Sequence, residues 1–398
     1  MASLLTLEEA QELVLERVRP LATEPVSIGE AIRRVVAEDV QARVDLPPFA
    51  SSAMDGFAVR SSDLPGTLRI AGESAAGRPY EGQLEPGSAV AISTGAVVPA
   101  DADAVVPVEL VVQSENTVGS SEPLRSGAHV RPRGGDVASG EVVMSAGVML
   151  TPARLAAVAA AGVATVECRR RPRVGILATG SELVAPGEPL RAGQIYETNS
   201  LMLDAALSGA GAEIVTEPAA ADDEAVLREA LERGLACDVL VTSGGVSVGE
   251  HDLVRAVERE LGVEEVFWRV SIKPGKPVSF GVRGDTLVFG LPGNPVSALV
   301  GCELFVKPAL RALQGVADPL PRFETGSLAI GLRRNAERDE FVRARVRTDA
   351  NEVVLEPIVG QESHMIVRSS AADALVHVPR GNGELVVGTA ARWLRLDG

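Results

Sequence analysis

The chain has 398 residues, enough for two to three domains, with 46% hydrophobic residues and a formal net charge of −16. Only 3% of residues are aromatic, and 54 acidic residues stand against 38 basic ones. That balance excludes a general nucleic-acid surface or an anionic-membrane surface, although a few lysines can still dominate a small pocket. Three scattered cysteines, Cys168, Cys237 and Cys302, make neither a disulfide framework nor a zinc knot, and four histidines leave little room for a His-rich metal site. The start of the chain reads without a signal peptide and no run approaches a membrane span, so a cytoplasmic protein is expected.

In chain order, Leu5 to Val18 is a periodic helix, with Thr6 as its cap, Glu8 and Glu9 in its first turn, and Pro20 after its end. Ser27 to Val36 reads as a second helix, with Ser27 and Glu30 spaced as a capping box. From Ala42 to Ser139 the pattern becomes short β-type runs punctuated by Gly, Pro and Ser: Phe57–Val59, Thr67–Ala71, Ser88–Ile92 and Ala104–Pro107. This predicts a β-rich inserted module. Inside it, FASSAMDGFAVR places Asp55-Gly56 in a turn, ISTGAVVPADADAVVPVE carries Thr94, and RPRGGDV carries Asp136. On spacing alone, Asp-Gly is also simply a good turn, and the Asp136 stretch also fits a surface linker.

Thr151-Pro152 opens an alanine-rich helix that stops at Gly162, and a strand from Val163 to Cys168 follows. The basic run Arg169 to Arg173 reads as a solvated interdomain hinge. Then strands and helices alternate. RVGILATGSEL, Arg173 to Leu183, reads as a strand then a Gly turn, and further strands are expected at Ala212–Thr216, Asp238–Thr242 and Leu287–Phe289, with short extended pieces at Phe267–Ile272 and Val278–Gly281. Helices are expected at Asn199–Leu207, Asp222–Gly234, Asp252–Leu261 and Val296–Leu313. This predicts a mostly parallel sheet covered on both faces. No dinucleotide fingerprint or P-loop is present. From Asp318 onward the chain returns to β character, as a small barrel or sandwich.

Three stretches predict the ligand site: DVLVTSGGVSVGEHD, IKPGKPVSFG and FGLPGNPVSALVGCELF. Each reads as an apolar strand feeding a Gly- or Pro-marked corner, and together they predict a crevice at the edge of the sheet. The backbone N–H groups around Ser243, Gly244, Gly245 and Ser247, and the lysines Lys273 and Lys276, suit an anionic ligand. On composition alone, the same glycines also serve ordinary turns.

These stretches, with SSAMDGFAVR, STGAVVPADADAVV, RPRGGDV, GILATGSELV, GQIYETNS and the QESHM segment, resemble the molybdopterin molybdenumtransferase family, which includes the E domain of gephyrin. The resemblance spans essentially the whole chain. It implies four domains, which on this chain fall at 1–42 with 140–172 (bridging), 43–139 (β-rich insert), 173–317 (α/β, molybdopterin-binding) and 318–398 (C-terminal β-barrel). It implies an elongated homodimer with each active site shared between subunits. The implied reaction inserts molybdenum from molybdate into adenylylated molybdopterin and releases AMP, with Mg²⁺ or a similar divalent ion. It implies contact with the adenylyltransferase that supplies the substrate and with apo-molybdoenzymes that accept the product.

Carried over residue by residue, the resemblance puts catalytic roles on Asp55, Asp136, Asp252, Lys273 and Lys276, with the three aspartates as metal ligands. Substrate-binding roles fall on Thr94, Glu182, Asp222, Ser243, Gly244, Gly245, Ser247, Arg269, Pro292, Gly293, Asn294, Arg343 and Ser363. The chemistry is coherent, because carboxylates near a polyanion need a hard cation between them. Glu182 and Asp222 are equally consistent with capping and first-turn charge. Arg269 departs from the family pattern, which has a lysine there; a planar fork replaces a compact ammonium. Two other functions stay open at this stage: a non-catalytic scaffold, the role gephyrin plays at receptor clusters, and an enzyme specific for tungstate.

Overall fold

The computed structural model describes residues 4–216, 223–245, 253–349 and 352–396. It separates into two compact units. The first combines the N-terminus to Glu24, Arg33–Ala37 and everything from Arg169 onward; the second combines Pro25–Ile32 with Glu38–Cys168.

The second unit is built on a six-stranded sheet in the order Ala104–Pro107, Gly56–Val59, Ser88–Ile92, Gly66–Ser74, Thr117–Ser120, Val112–Gln113. Its pairings are antiparallel except for that between Gly66–Ser74 and Ser88–Ile92. Both faces are buried, so neighbours in one strand serve different cores: Phe57 and Val59 pack with Leu68 and Val118, whereas Ala58 packs with Val90 and Val105. Gly56 does more than close a turn. A Cβ there would lie 2.0 Å from the Val106 carbonyl oxygen, so no side chain fits where the two strands meet. The helix Pro152–Ala160 starts on its proline and is followed by Gly162 at φ +79°.

In the first unit, helix Leu7–Arg17 starts at a capping box made by Thr6 and Glu9. The helix expected over Ser27–Val36 does not form. A single 3₁₀ turn, Ile28–Glu30, stands in its place, and the Ser27 hydroxyl donates to the Glu30 carboxylate rather than capping a backbone N–H. Arg33 then turns the chain at φ +60°, outside helical space. The basic run is not a solvated hinge either. Arg170 makes two hydrogen bonds to Asp238, at 2.7 and 2.5 Å, and Arg169 donates to the Leu21 carbonyl. Burial pushes the Asp238 carboxyl up, but the hydrogen bonds from Arg170 and the Arg173 N–H outweigh it and leave it below the ordinary aspartate value.

The central sheet runs Glu213–Thr216, Arg173–Ala178, Val239–Ser243, Thr286–Leu291, Ser279–Arg283, Glu264–Trp268. The first four strands are parallel and the last two antiparallel. The strand DVLVTS is apolar throughout because it is covered twice. Val239 and Val241 pack under Leu203, Leu207 and Phe305, and Leu240 packs under Leu227, Leu231 and Val257. The expected long helix after Asn294 is present as Pro295–Gly301, a π-helical turn Cys302–Val306, and Lys307–Leu313. Pro308 explains the interruption. It has no N–H for the Leu304 carbonyl, which takes a 2.8 Å hydrogen bond from Gln11 Nε2 instead.

The C-terminal strands Glu324–Leu328, Asp339–Asp349, Glu352–Pro357, Ala374–Val378 and Ala390–Arg395 close into a barrel, because Asp339–Asp349 pairs on both sides. Trp393, Leu355 and Val376 fill it. Ile272–Lys273 adds to this barrel sheet in parallel with Asp339–Glu340. Among the described residues no helix is long and apolar enough to cross a membrane.

Candidate active site at the carboxyl ends of the central sheet

The four parallel strands follow the spatial order second, first, third, fourth, so the connections diverge between Arg173–Ala178 and Val239–Ser243. Open α/β sheets place ligands outside the carboxyl ends at such a point. A cavity of about 880 Å³ opens there, and Thr179, Glu182, Asn199, Ser243, Asn294 and His364 supply polar atoms to its wall. The volume is in the range of small-molecule sites.

The three corners lock one another. The Thr179 N–H donates to the Ser243 carbonyl, and the Gly244 N–H to the Leu291 carbonyl, so the ladder continues past the strand ends. Gly244 and Gly245 then turn at φ +97° and +66°. A Cβ on Gly244 would sit 2.5 Å from the Thr179 carbonyl oxygen, and one on Gly245 would sit 2.3 Å from Val254 Cγ2. These glycines are required by geometry as well as by φ. Asn199, in the first turn of helix Asn199–Gly209, reaches the other two corners: its Nδ2 donates to Ser243 Oγ and to the Gly293 carbonyl, both at 2.8 Å. Glu197 accepts from the Ser200 N–H and so caps the same helix.

The fourth wall comes from the C-terminal domain. Asn294 Nδ2 donates to Ser363 Oγ, and the Val296 N–H donates to the Ser363 carbonyl. His364 and Ile366 follow on the cavity wall. Arg343 holds this loop from beneath. Its side chain is buried and donates to the carbonyls of Gly360, Glu362 and Met365 and to Ser369 Oγ. Burial lowers its pKa from the ordinary arginine value.

The structure therefore brings Glu182, Ser243, Gly244, Gly245, Pro292, Gly293 and Asn294 to one cavity, with Ser363 bonded to its rim. The Gly244 N–H is already used by Leu291; that of Gly245 has no acceptor among the described residues. The IKPGKP stretch is not a third strand-to-helix corner. It leaves the barrel-sheet edge and contributes Pro277 to the wall. The third corner comes instead from Ala178-Thr179-Gly180. Lys273 is half exposed and pairs with Glu340 at 2.9 Å, and Lys276 makes no side-chain hydrogen bond among the described residues. Arg269 stacks its guanidinium 3.6 Å from the centroid of Trp268, whose other close cation is Arg255 at 4.2 Å. The Arg343 donors point into the loop it supports. Asp222, Ser247 and Asp252 lie outside the described residues.

In the inserted module, Asp55 Oδ1 accepts from the Thr94 N–H at 2.6 Å and from Thr94 Oγ1 at 2.9 Å. The backbone bond first, then the hydroxyl, holds the Asp55 carboxyl below the ordinary aspartate value. Asp136 is exposed, and its N–H donates to the Leu46 carbonyl. No group of three or more His, Cys, Asp or Glu side chains stands together among the described residues. Sequence reasoning missed His364, Glu197 and the stapling role of Asn199. The GQIYETNS motif contains Asn199, but the sequence placed it only at the start of an expected helix; His364 carried no spacing signal, since folding alone brings its loop to the sheet.

A doubly wound sheet with a loop-walled cavity at its switch point, joined to a closed barrel, defines a multidomain α/β protein with a cavity of small-molecule size. Residues 5–162 match the MoeA N-terminal region (domain I and II), 175–312 a probable molybdopterin binding domain, and 325–396 the MoeA C-terminal region (domain IV). The chain is 37% identical to a molybdopterin molybdenumtransferase of Haemophilus influenzae, over 97% of each chain. It is also 37% identical to molybdopterin molybdenumtransferase 2 of Mycobacterium tuberculosis, over 96% of this chain and 98% of that one. A molybdopterin biosynthesis MoeA protein of Pyrococcus horikoshii has the same fold, with a TM-score of 0.85 at 29% identity, covering 99% of this chain and 100% of that one. The chain belongs to the molybdopterin molybdenumtransferase (MoeA) family. Its place is thus among the transferases of molybdenum cofactor biosynthesis.

Proposed function

We propose that the cavity holds the pterin of adenylylated molybdopterin while molybdate delivers molybdenum to its dithiolene and AMP is released. The observation that carries this reading is the cavity itself: its wall is formed by the motif residues of the molybdopterin-binding domain, at the switch point of the sheet. Among the described residues no lysine or arginine lines it, so it suits the uncharged ring system. Lys276, without a side-chain partner among the described residues, is the nearest candidate in sequence for the oxyanion, one residue before the wall residue Pro277.

Magnesium fits Asp55 as one ligand. The carboxylate is kept ionised by Thr94, and its Oδ2 has no hydrogen-bond partner among the described residues. Magnesium usually takes one or two carboxylates and completes its shell with phosphate and water oxygens. Bound there, it would supply charge neutralisation at a phosphoryl group. Asp136 and Asp252 are the further ligands proposed. The active form proposed is a homodimer in the cytoplasm, which light scattering at micromolar protein tests.

The test of function is incubation with adenylylated molybdopterin and molybdate, scoring AMP release and cofactor transfer to an apo-molybdoenzyme, with tungstate in a parallel arm. Stoichiometric AMP with active acceptor enzyme is expected. Binding without AMP release would point to a scaffold; AMP release with tungstate alone would reassign the oxyanion.

A further inference from the structure

Asn199 is 8% exposed, and its Oδ1 is buried with no hydrogen-bond partner. An unpaired buried amide oxygen is costly unless a ligand or water completes it. The orientation of the amide is fixed by chemistry. One of its bonds goes to the Gly293 carbonyl, which can only accept, so the NH₂ must face that way. Its second N–H goes to Ser243 Oγ. Both amide donors are then used, and Oδ1 offers acceptance alone. Ser243 is 2% exposed and accepts from Asn199, so its own hydroxyl proton is left for another acceptor; none appears among the described residues. Both residues line the cavity. One acceptor and one donor therefore stand side by side in two wall residues of the cavity, joined by a hydrogen bond.

We propose that Asn199 Oδ1 and the Ser243 hydroxyl read the lactam edge of the bound pterin, Asn199 accepting from the ring N–H and Ser243 donating to the adjacent ring carbonyl. This rests on the reading of the cavity as the pterin site. The pair complements a 2-amino-4-oxo ring and opposes a 2,4-diamino ring, in which the carbonyl becomes a donor and the ring nitrogen an acceptor. A site that hydrogen-bonds one pattern rejects the other because its own buried groups are left unpaired.

The test is fluorescence titration of the full chain with 6-hydroxymethylpterin and with its 2,4-diamino analogue, for wild type, Asn199→Ala and Ser243→Ala, each checked for folding by circular dichroism. Wild type should prefer the oxo compound by about tenfold or more, and each variant should bring the ratio to within about twofold. The ratio cancels general damage to the site, so a merely structural role for Asn199 would weaken both ligands equally and keep the preference. A preference that survives in both variants, or its absence in wild type, overturns the assignment alone. Failure of wild type to bind either pterin overturns the assignment and the reading of the cavity together.

Discussion

The strand-end corners and the charged residues of the same motifs behave differently. At the corners, Gly244, Gly293, Asn199 and Ser243 interlock through backbone and amide hydrogen bonds while Gly245 packs against Val254, and the cavity is their joint product. The charged residues mostly have partners of their own: Lys273 has Glu340, Arg269 has Trp268, Arg343 has its loop, and Asp55 has Thr94. Among the described residues, Lys276 alone of these five makes no side-chain hydrogen bond, ion pair or ring contact. The difference teaches that shape is built in before a ligand arrives, whereas charge is held by partners that a ligand must share or replace.

Asp55→Asn tests that division most severely. Asparagine keeps the turn and can still accept from Thr94, so pterin binding should persist, but a hard anionic oxygen is lost. AMP release in a single turnover should fall by about 10²-fold or more. Normal release across a range of Mg²⁺ would leave Asp55 as a turn former.

Arg343→Ala should give the next largest change. It leaves the carbonyls of Gly360, Glu362 and Met365 without their donor. A loss of about 3 kcal/mol in stability is expected by urea unfolding, with faster amide exchange over residues 358–369. If stability held and only substrate binding fell, the guanidinium would be a ligand-facing group after all.

A smaller, pH-dependent effect follows from Asp55. Its folded pKa is depressed, so its contribution to stability is complete above the unfolded value of about 3.9 and is lost as pH falls through the folded value. A carboxyl-carbon NMR titration should place the Asp55 midpoint below about 3.9, and Thr94→Val should move it up. The smallest effect belongs to Lys273→Ala. The pair with Glu340 is half exposed, so thermal unfolding should register less than about 1 kcal/mol.

Much of this was legible in the sequence. The doubly covered sheet announced itself in runs such as VLVTS and LVFGL, and the inserted strands Ser88–Ile92 and Ala104–Pro107 have the expected bounds. The failures have physical causes. Ser27 and Glu30 have capping-box spacing, but their side chains bond each other. Arg170 reads as solvated until Asp238, 68 residues away, folds against it. The IKPGKP stretch looks like a corner of the sheet, but Ile272–Lys273 pairs with a barrel strand that only tertiary structure supplies. Partners distant in sequence decide the fate of charges, and no local pattern encodes them.

The central claim is that the glycine corners hold the pterin and Lys276 holds the oxyanion. The direct measurement is a paired titration, pterin and molybdate, on Gly244→Ala and Lys276→Ala, with folding confirmed by circular dichroism. The added Cβ must displace the Thr179 carbonyl 2.5 Å away, so Gly244→Ala should lose pterin affinity by about tenfold or more and leave molybdate nearly unchanged. Lys276→Ala removes a charge-assisted bond of roughly 1.5–3 kcal/mol, so it should lose molybdate affinity by about tenfold or more and leave the pterin nearly unchanged. Both variants losing both ligands alike, or the two losses exchanged, would contradict the account.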